Sequence, residues 1–159
     1  MRRDKLEIRD REIIEELLRE GEYLVLSLND PGAAPYAVPL NYAYEDGRIY
    51  LHSGLKGRKA ELLRADPRVR FVVVPRARIA TGPTPCKHTA HFHSLCGCGT
   101  ARLLEGDSEK RRGLSVLSRR FAPDQEPGFP DKIVGKTMVI EIEVTEITGK
   151  RNPPPDEKE

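Results

Sequence analysis

Two stretches of this 159-residue chain carry residue types at spacings that could do chemistry. The first is His52-Ser53-Gly54-Leu55-Lys56-Gly57-Arg58-Lys59, which runs into Ala60-Glu61-Leu62-Leu63-Arg64, a good helix former. A helix N-terminus exposes unpaired N–H donors and a partial positive charge, and Arg58 and Lys59 add full charges there. Ser53 offers a hydroxyl, Arg58 a bidentate fork, Lys59 a mobile point charge, and Gly57 punctuates the turn. Together they would hold a phosphate monoester dianion. A solvated basic turn ahead of a helix uses the same residues, and on residue chemistry alone that reading is the stronger. His52 reads likewise as a structural histidine at a strand end or as a member of the site.

The second stretch, Cys86 to Cys98, packs six soft or borderline metal ligands into thirteen residues: Cys86, His88, His91, His93, Cys96 and Cys98. Cys and His at short spacing are what tetrahedral zinc sites use. The spacing fits no common zinc pattern, however. C-x-C and H-x-H set each pair on one face of a strand, and a closed site also needs ligands from a second segment. Outside this stretch the chain offers His52 and carboxylates, so no structural metal is expected and a small metal-binding protein is the alternative. No G-x-S-x-G elbow occurs, and the acids are scattered.

The elements that must position these residues follow from periodicity. Asp10 can cap a helix with Ile13, Ile14, Leu17 and Leu18 at helical spacing and Gly21 as its stop. Glu22–Leu28 reads as a strand closed by the turn cluster Asn29-Asp30-Pro31-Gly32. Tyr36, Val38, Leu40, Tyr42 and Tyr44 alternate onto one face. Glu45-Asp46-Gly47 then turns the chain into Arg48–His52, a hairpin. Pro39 lacks an N–H, so it marks an interruption of the ladder where another group approaches.

A short helix from Gly57 to Ala65 precedes a strand Val69–Val74, and Pro75 to Pro85 reads as an irregular loop. His91–Leu104 is a long strand with Gly97 and Gly99 marking a bulge, bend or close backbone approach. A helix opens at Asp107 or Ser108, with Leu114, Leu117 and Phe121 on one side. Pro123 to Pro130 is irregular, and Thr137–Ile147 alternates cleanly, with Met138, Ile140, Ile142 and Val144 pointing one way. Six strands with helices only between them favour a closed antiparallel barrel: a mainly β fold, one domain over residues 1–150, then a disordered tail over 151–159.

Composition narrows the function classes. The 27 basic and 25 acidic residues nearly balance, which argues against nucleic acid as the main partner. No apolar run spans a bilayer, and Met1-Arg2-Arg3-Asp4-Lys5 leads into no apolar signal core, so a cytoplasmic protein off the membrane is expected. Three cysteines fit reduced thiols. The faces bearing Tyr42, Tyr44 and Met138 look too apolar for one small barrel to cover, so a homodimer is expected.

The segment VPLNYAYEDGRIYLHSGLKGRKAELLRADPRVRF resembles the core signature of the pyridoxamine 5'-phosphate oxidase-like FMN-binding split barrels, closest to the branch that includes the nitroimidazole-resistance proteins. The likeness runs from Asp10 to about Ile147. It implies a six-stranded Greek-key split barrel, homodimeric, with flavin at the subunit interface. It puts the FMN phosphate among His52, Ser53, Gly57, Arg58 and Lys59, and the ring along Val38, Pro39, Leu40 and Asn41. It also sets Cys86 where such relatives carry a cysteine, and Phe92 to Gly97 on the strand that lines the site from the partner. His91 and His93 stand where relatives more often have arginine or tyrosine. FAD or haem are the alternative cofactors, and a flavin or haem carrier without a reaction is the alternative function. The implied reaction moves electrons between NAD(P)H or another donor and a small organic substrate such as a nitro compound or quinone, with no catalytic acid or base assigned.

Overall fold

Leu24, Leu26 and Leu28 alternate with Tyr23, Val25 and Ser27, and that period of two lays one apolar row along a strand. The same alternation recurs down the chain, and the computed structural model, which describes residues 6–154, assembles it into one antiparallel sheet. In chain order the elements are β1 (Glu7–Ile8), α1 (Arg11–Glu20), β2 (Tyr23–Leu28), β3 (Tyr36–Asn41), β4 (Ala43–Glu45) and β5 (Arg48–Gly54). Then follow α2 (Arg58–Ala65), β6 (Arg68–Ala80), β7 (Thr89–Leu104), α3 (Asp107–Phe121), α4 (Asp131–Val134) and β8 (Thr137–Asn152). The strand order is β3-β2-β6-β7-β8-β5-β4, with β1 added on β8.

The mainly β class with flanking helices holds, with two corrections. The sheet has eight strands rather than six, and hydrogen bonds do not close it. The extra strands come from β1 and from a split in the expected hairpin arm. The segment 36–45 does not run as one strand: β3 pairs with β2, whereas β4 pairs with β5 at the far end of the sheet. Tyr42 sits at the break, fully buried, its hydroxyl donating to the Leu18 carbonyl at 2.6 Å. One continuous segment thus links the two ends of the sheet.

Two apolar layers form. Inside the curl, Leu24, Leu26, Ile49, Leu51, Phe71, Val73, Leu95, Ile140 and Ile142 meet Leu17 and Leu18 of α1 and Leu62 and Leu63 of α2. On the other side, Leu114, Val116 and Leu117 of α3 cover Tyr50, Leu104 and Val139. Tyr42 and Met138 are therefore core residues of one chain, and the faces expected to drive dimerisation are already covered. Among the described residues, four of the eight exposed large apolar ones, Tyr23, Val25, Val72 and Val74, share the outer face of β2 and β6.

Asp10 caps α1 as expected, accepting from the Glu12 N–H at 2.8 Å. Gly97 and Gly99 are positions of close approach: a Cβ at Gly97 would strike the Phe71 ring, and one at Gly99 the Glu143 carbonyl. The β7–β8 register shifts between Cys98 and Gly99, the expected bulge. Pro75 to Ala80, expected as loop, instead continues β6 past a bulge between Val73 and Arg76, since Pro75 falls at the bulge and need not donate. β8 runs beyond Ile147 to Asn152, paired there with Phe92, so the expected tail begins inside a strand. Residues 155–159 lie outside the described residues. Among the described residues no helix is long and apolar enough to cross a membrane.

Candidate cofactor site

Ile49, Tyr50 and Leu51 of β5 are buried, and the strand emerges at His52 and Ser53, opposite Val139 and Met138 of β8. The chain then turns through Gly54 to Gly57 into α2. Gly57 has φ +105, which a side chain rarely tolerates, and a Cβ there would meet nothing within 4 Å, so the turn faces open space. No side chain caps the first turn of α2. Its leading N–H groups are therefore left for solvent or an anion. Arg64 steadies the turn from within, its guanidinium 3.3 Å from the Ala60 carbonyl and 3.5 Å from that of Leu55.

Lys59 is half-buried at the helix start, and burial holds its ammonium below the ordinary lysine value. A partly desolvated lysine gains from a phosphate partner. Ser53 is half-buried and His52 exposed nearby in sequence.

Arg58 is arranged differently from expectation. Its Nε donates to Asp30 at 2.9 Å and a terminal nitrogen bonds the other carboxylate oxygen, while Glu61 lies 3.8 Å away. The fork expected to meet phosphate is engaged by an acid, and the Asp30 carboxylate raises the guanidinium's pKa further. Asp30 escaped notice in the sequence because an aspartate in Asn-Asp-Pro-Gly is ordinary turn chemistry. Only the fold brings that turn to α2.

The four residues expected along the ring divide by strand parity. Val38 and Leu40 pack against the core, whereas Pro39 is exposed and Asn41 half-buried. β3 is an edge strand with β2 as its partner, so the missing Pro39 N–H costs nothing there. Pro39 stands opposite Val25, Val25 opposite Val72, and Val72 opposite Cys96, making one row across four strands of the outer face.

The histidine–cysteine stretch does not converge. Cys86 is exposed in a single 3-10 turn, Pro85–Lys87. Along β7, His93 and Leu95 are buried whereas Cys96 is exposed, so histidines and cysteines take opposite faces of the strand. Among the described residues no three His, Cys, Asp or Glu side chains group as metal ligands.

A curled antiparallel sheet with an uncapped, glycine-led helix at its corner defines a split-barrel protein. The family model described as pyridoxamine 5'-phosphate oxidase matches residues 10–151, and the chain belongs to that family. A structure from Bacteroides thetaiotaomicron, named for 5-nitroimidazole antibiotic resistance, is 28% identical with a TM-score of 0.81, covering 91% of this chain and 86% of that one. The FAD and heme binding protein of Mycobacterium smegmatis is 17% identical with a TM-score of 0.82, covering 93% and 74%. The flavocytochrome Anf3 of Azotobacter vinelandii is 19% identical with a TM-score of 0.83, covering 95% and 71%. The last two show the shared fold. No curated protein matches the chain in sequence.

Proposed function

We propose that this chain is a homodimeric flavoprotein that binds FMN and passes electrons between NAD(P)H, or another donor, and a small organic acceptor such as a nitro compound or quinone. The observation that carries the reading is the start of α2: a left-handed Gly57, an uncapped first turn and the half-buried Lys59, with Ser53 at the end of the preceding strand. That donor set suits a dianionic phosphate. In this reading Lys59, Ser53, His52 and the N–H groups after Gly57 hold the phosphate, and Arg58 keeps the helix start in place through Asp30. Pro39 and Asn41 then offer the outer face of β3 to the ring. The flavin, when bound, supplies the hydride and electron chemistry.

The same outer face carries Tyr23, Val25, Val72 and Val74, exposed by 63, 41, 39 and 52%. A cluster of four such side chains on one face of two neighbouring strands is the surface a second copy would cover. This placement supports a flavin site completed across the dimer, because Pro39 borders the patch.

FAD carries the same isoalloxazine and is the alternative occupant, and haem, named with FAD in the Mycobacterium smegmatis neighbour, is the other. The deciding experiment is a titration of the purified protein with FMN and with riboflavin, followed by absorbance and flavin fluorescence. Tighter binding of FMN supports the phosphate corner, and equal binding overturns it. A Soret band in place of flavin bands would move the cofactor to haem. NAD(P)H oxidation with a nitro acceptor then separates enzyme from carrier.

A further inference from the structure

The bulge in β6 changes the phase of that strand. Val73 stands opposite Leu95, and after the bulge Arg76 stands opposite His93 and Arg78 opposite His91. Opposed residues of an antiparallel ladder share a face. Val73, Leu95 and His93 are all buried, so this is the inner face of the sheet, on which Arg76 and Arg78 now fall. On β8, Arg151 stands opposite His93. The apolar inner wall therefore ends in three arginines and two histidines drawn from three strands. Arg76, Arg78, His91 and His93, with Pro75, Pro153 and Pro154, line a cleft of about 420 Å³.

Glu20, at the end of α1, accepts two bonds from Arg76 at 2.7 and 2.6 Å. Among the described residues no carboxylate lies within ion-pair distance of Arg78, Arg151 or His91. His91 is held in a set orientation: its Nδ1 lies 3.2 Å from the Asn152 carbonyl. A carbonyl only accepts, so Nδ1 carries the hydrogen and Nε2 is the ring's remaining polar atom. Asn152 in turn donates from its side chain to the Ala90 carbonyl at 2.6 Å, fixing the strand ends together. Arginines opposite both histidines disfavour a divalent cation and favour an anion, because each brings a full positive charge to the same face.

We propose that this cleft binds a small organic anion with two or more carboxylate or phosphate groups, gripped by Arg78 and His91, with Arg76 steadied by Glu20 and Arg151, opposite His93 on β8, adding charge from outside the lining. Within one chain the cleft lies away from the phosphate corner: β8 pairs with Ser53 and His52 at Met138 and Val139, and with His93 at Arg151, the opposite end of the same strand.

Calorimetric titration of the full chain at constant ionic strength tests this, with citrate and inorganic pyrophosphate as probes and acetate as the monovalent control. Citrate, pyrophosphate or both should bind far more tightly than acetate. Arg78→Gln should weaken that binding about 10-fold or more, the scale of one charge-assisted contact, and Arg78→Lys should restore part of it. His91→Gln should weaken it too, and Lys59→Ala should leave it unchanged. Arg78 is exposed, so its variants are expected to fold, and a thermal melt alongside checks that. The proposal is overturned if neither probe outbinds acetate, or if Arg78→Gln binds as the unaltered chain does. It also fails if Lys59→Ala or saturating FMN abolishes the binding, which would put the anion at the phosphate corner instead.

Discussion

Arg58 grips Asp30 across a sequence separation of 28 residues, with two of its nitrogens on the two carboxylate oxygens. The acid's side chain is 7% exposed and the arginine's 50%, so the carboxylate is the buried partner and the guanidinium the lid over it. This pair joins the β2–β3 turn to the first residue of α2. Whatever position Gly57 and Lys59 hold, the pair helps to set it.

Removing the lid should cost more than removing the pair. Arg58→Ala leaves a buried carboxylate without its counter-charge, and a chain of this size should lose roughly 3–8 °C in Tm. Asp30→Ala together with Arg58→Ala should lose less than the two single changes added, because the stranded charge is gone. Strict additivity in thermal melts would mean the two side chains do not cooperate. FMN affinity should fall less for Arg58→Ala than for Lys59→Ala when both are measured well below their melting temperatures.

Lys59 should write its own signature into the pH dependence of FMN binding. Burial lowers its pKa from the ordinary lysine value, so the folded chain sheds this proton at a lower pH than the unfolded chain does. Between those two values the unfolded chain binds more protons, and Lys59's contribution to stability rises with pH. Phosphate needs the charged form, so FMN affinity runs the other way. It should stay level from about pH 7, above the second ionisation of the phosphate at about 6, and fall as pH passes through the depressed lysine pKa. Lys59→Ala should weaken FMN about 10- to 100-fold at neutral pH and leave riboflavin alone. Lys59→Arg should push the alkaline fall to higher pH. An unchanged alkaline limb in that variant would remove Lys59 from the phosphate.

The outer face of β2 and β6 should control assembly. Val25 and Val72 face each other across the ladder, and both are part-exposed on a surface with Tyr23 and Val74. Val72→Glu should leave the fold intact, since its side chain lies outside the core, and should convert a dimer into a monomer. Sedimentation at micromolar concentration reads this directly. A monomeric unaltered protein that still binds flavin would end both the dimer and the interface placement of the ring.

Local periodicity and turn chemistry carried much of this fold before any coordinates. Asp10, the alternation in β2 and β8, the helix after Gly57 and the close approach at Gly97 and Gly99 are each written in neighbouring residues. What was hidden depends on distant ones. Tyr42 alternates with Leu40 and Tyr44 as though in one strand, and only the docking of its hydroxyl on Leu18 breaks the run. The bulge before Arg76 turns a proline-broken loop into the second half of a long hairpin, and no residue of that loop announces its partner on β7. At the proposed site, Ser53, Gly57 and Lys59 are close neighbours in sequence, so their chemistry can be read from the chain alone. The engagement of Arg58 cannot, because Asp30 lies in a turn whose position near α2 is a property of the whole sheet.

The interleaved cysteines and glycines of β7 offer the last test, because one strand places them on opposite faces. Gly97 and Gly99 press against Phe71, Glu146 and Glu143, where no Cβ fits, while Cys96 is exposed and Cys98 sits near Thr145 at 3.6 Å. Gly99→Ala must push the β8 backbone aside and should cost about 1–3 kcal/mol, several degrees of Tm. Cys96→Ser with Cys98→Ser should move the Tm by no more than a few degrees, as outward positions generally do. A structural metal would reverse that order, since its binding energy is folding energy and the loss of two thiolates would collapse the site. Melting curves of the two variants beside elemental analysis of the dialysed protein decide between them. One zinc or iron per chain, lost on double substitution together with the fold, would return the stretch from Cys86 to Cys98 to the metal reading.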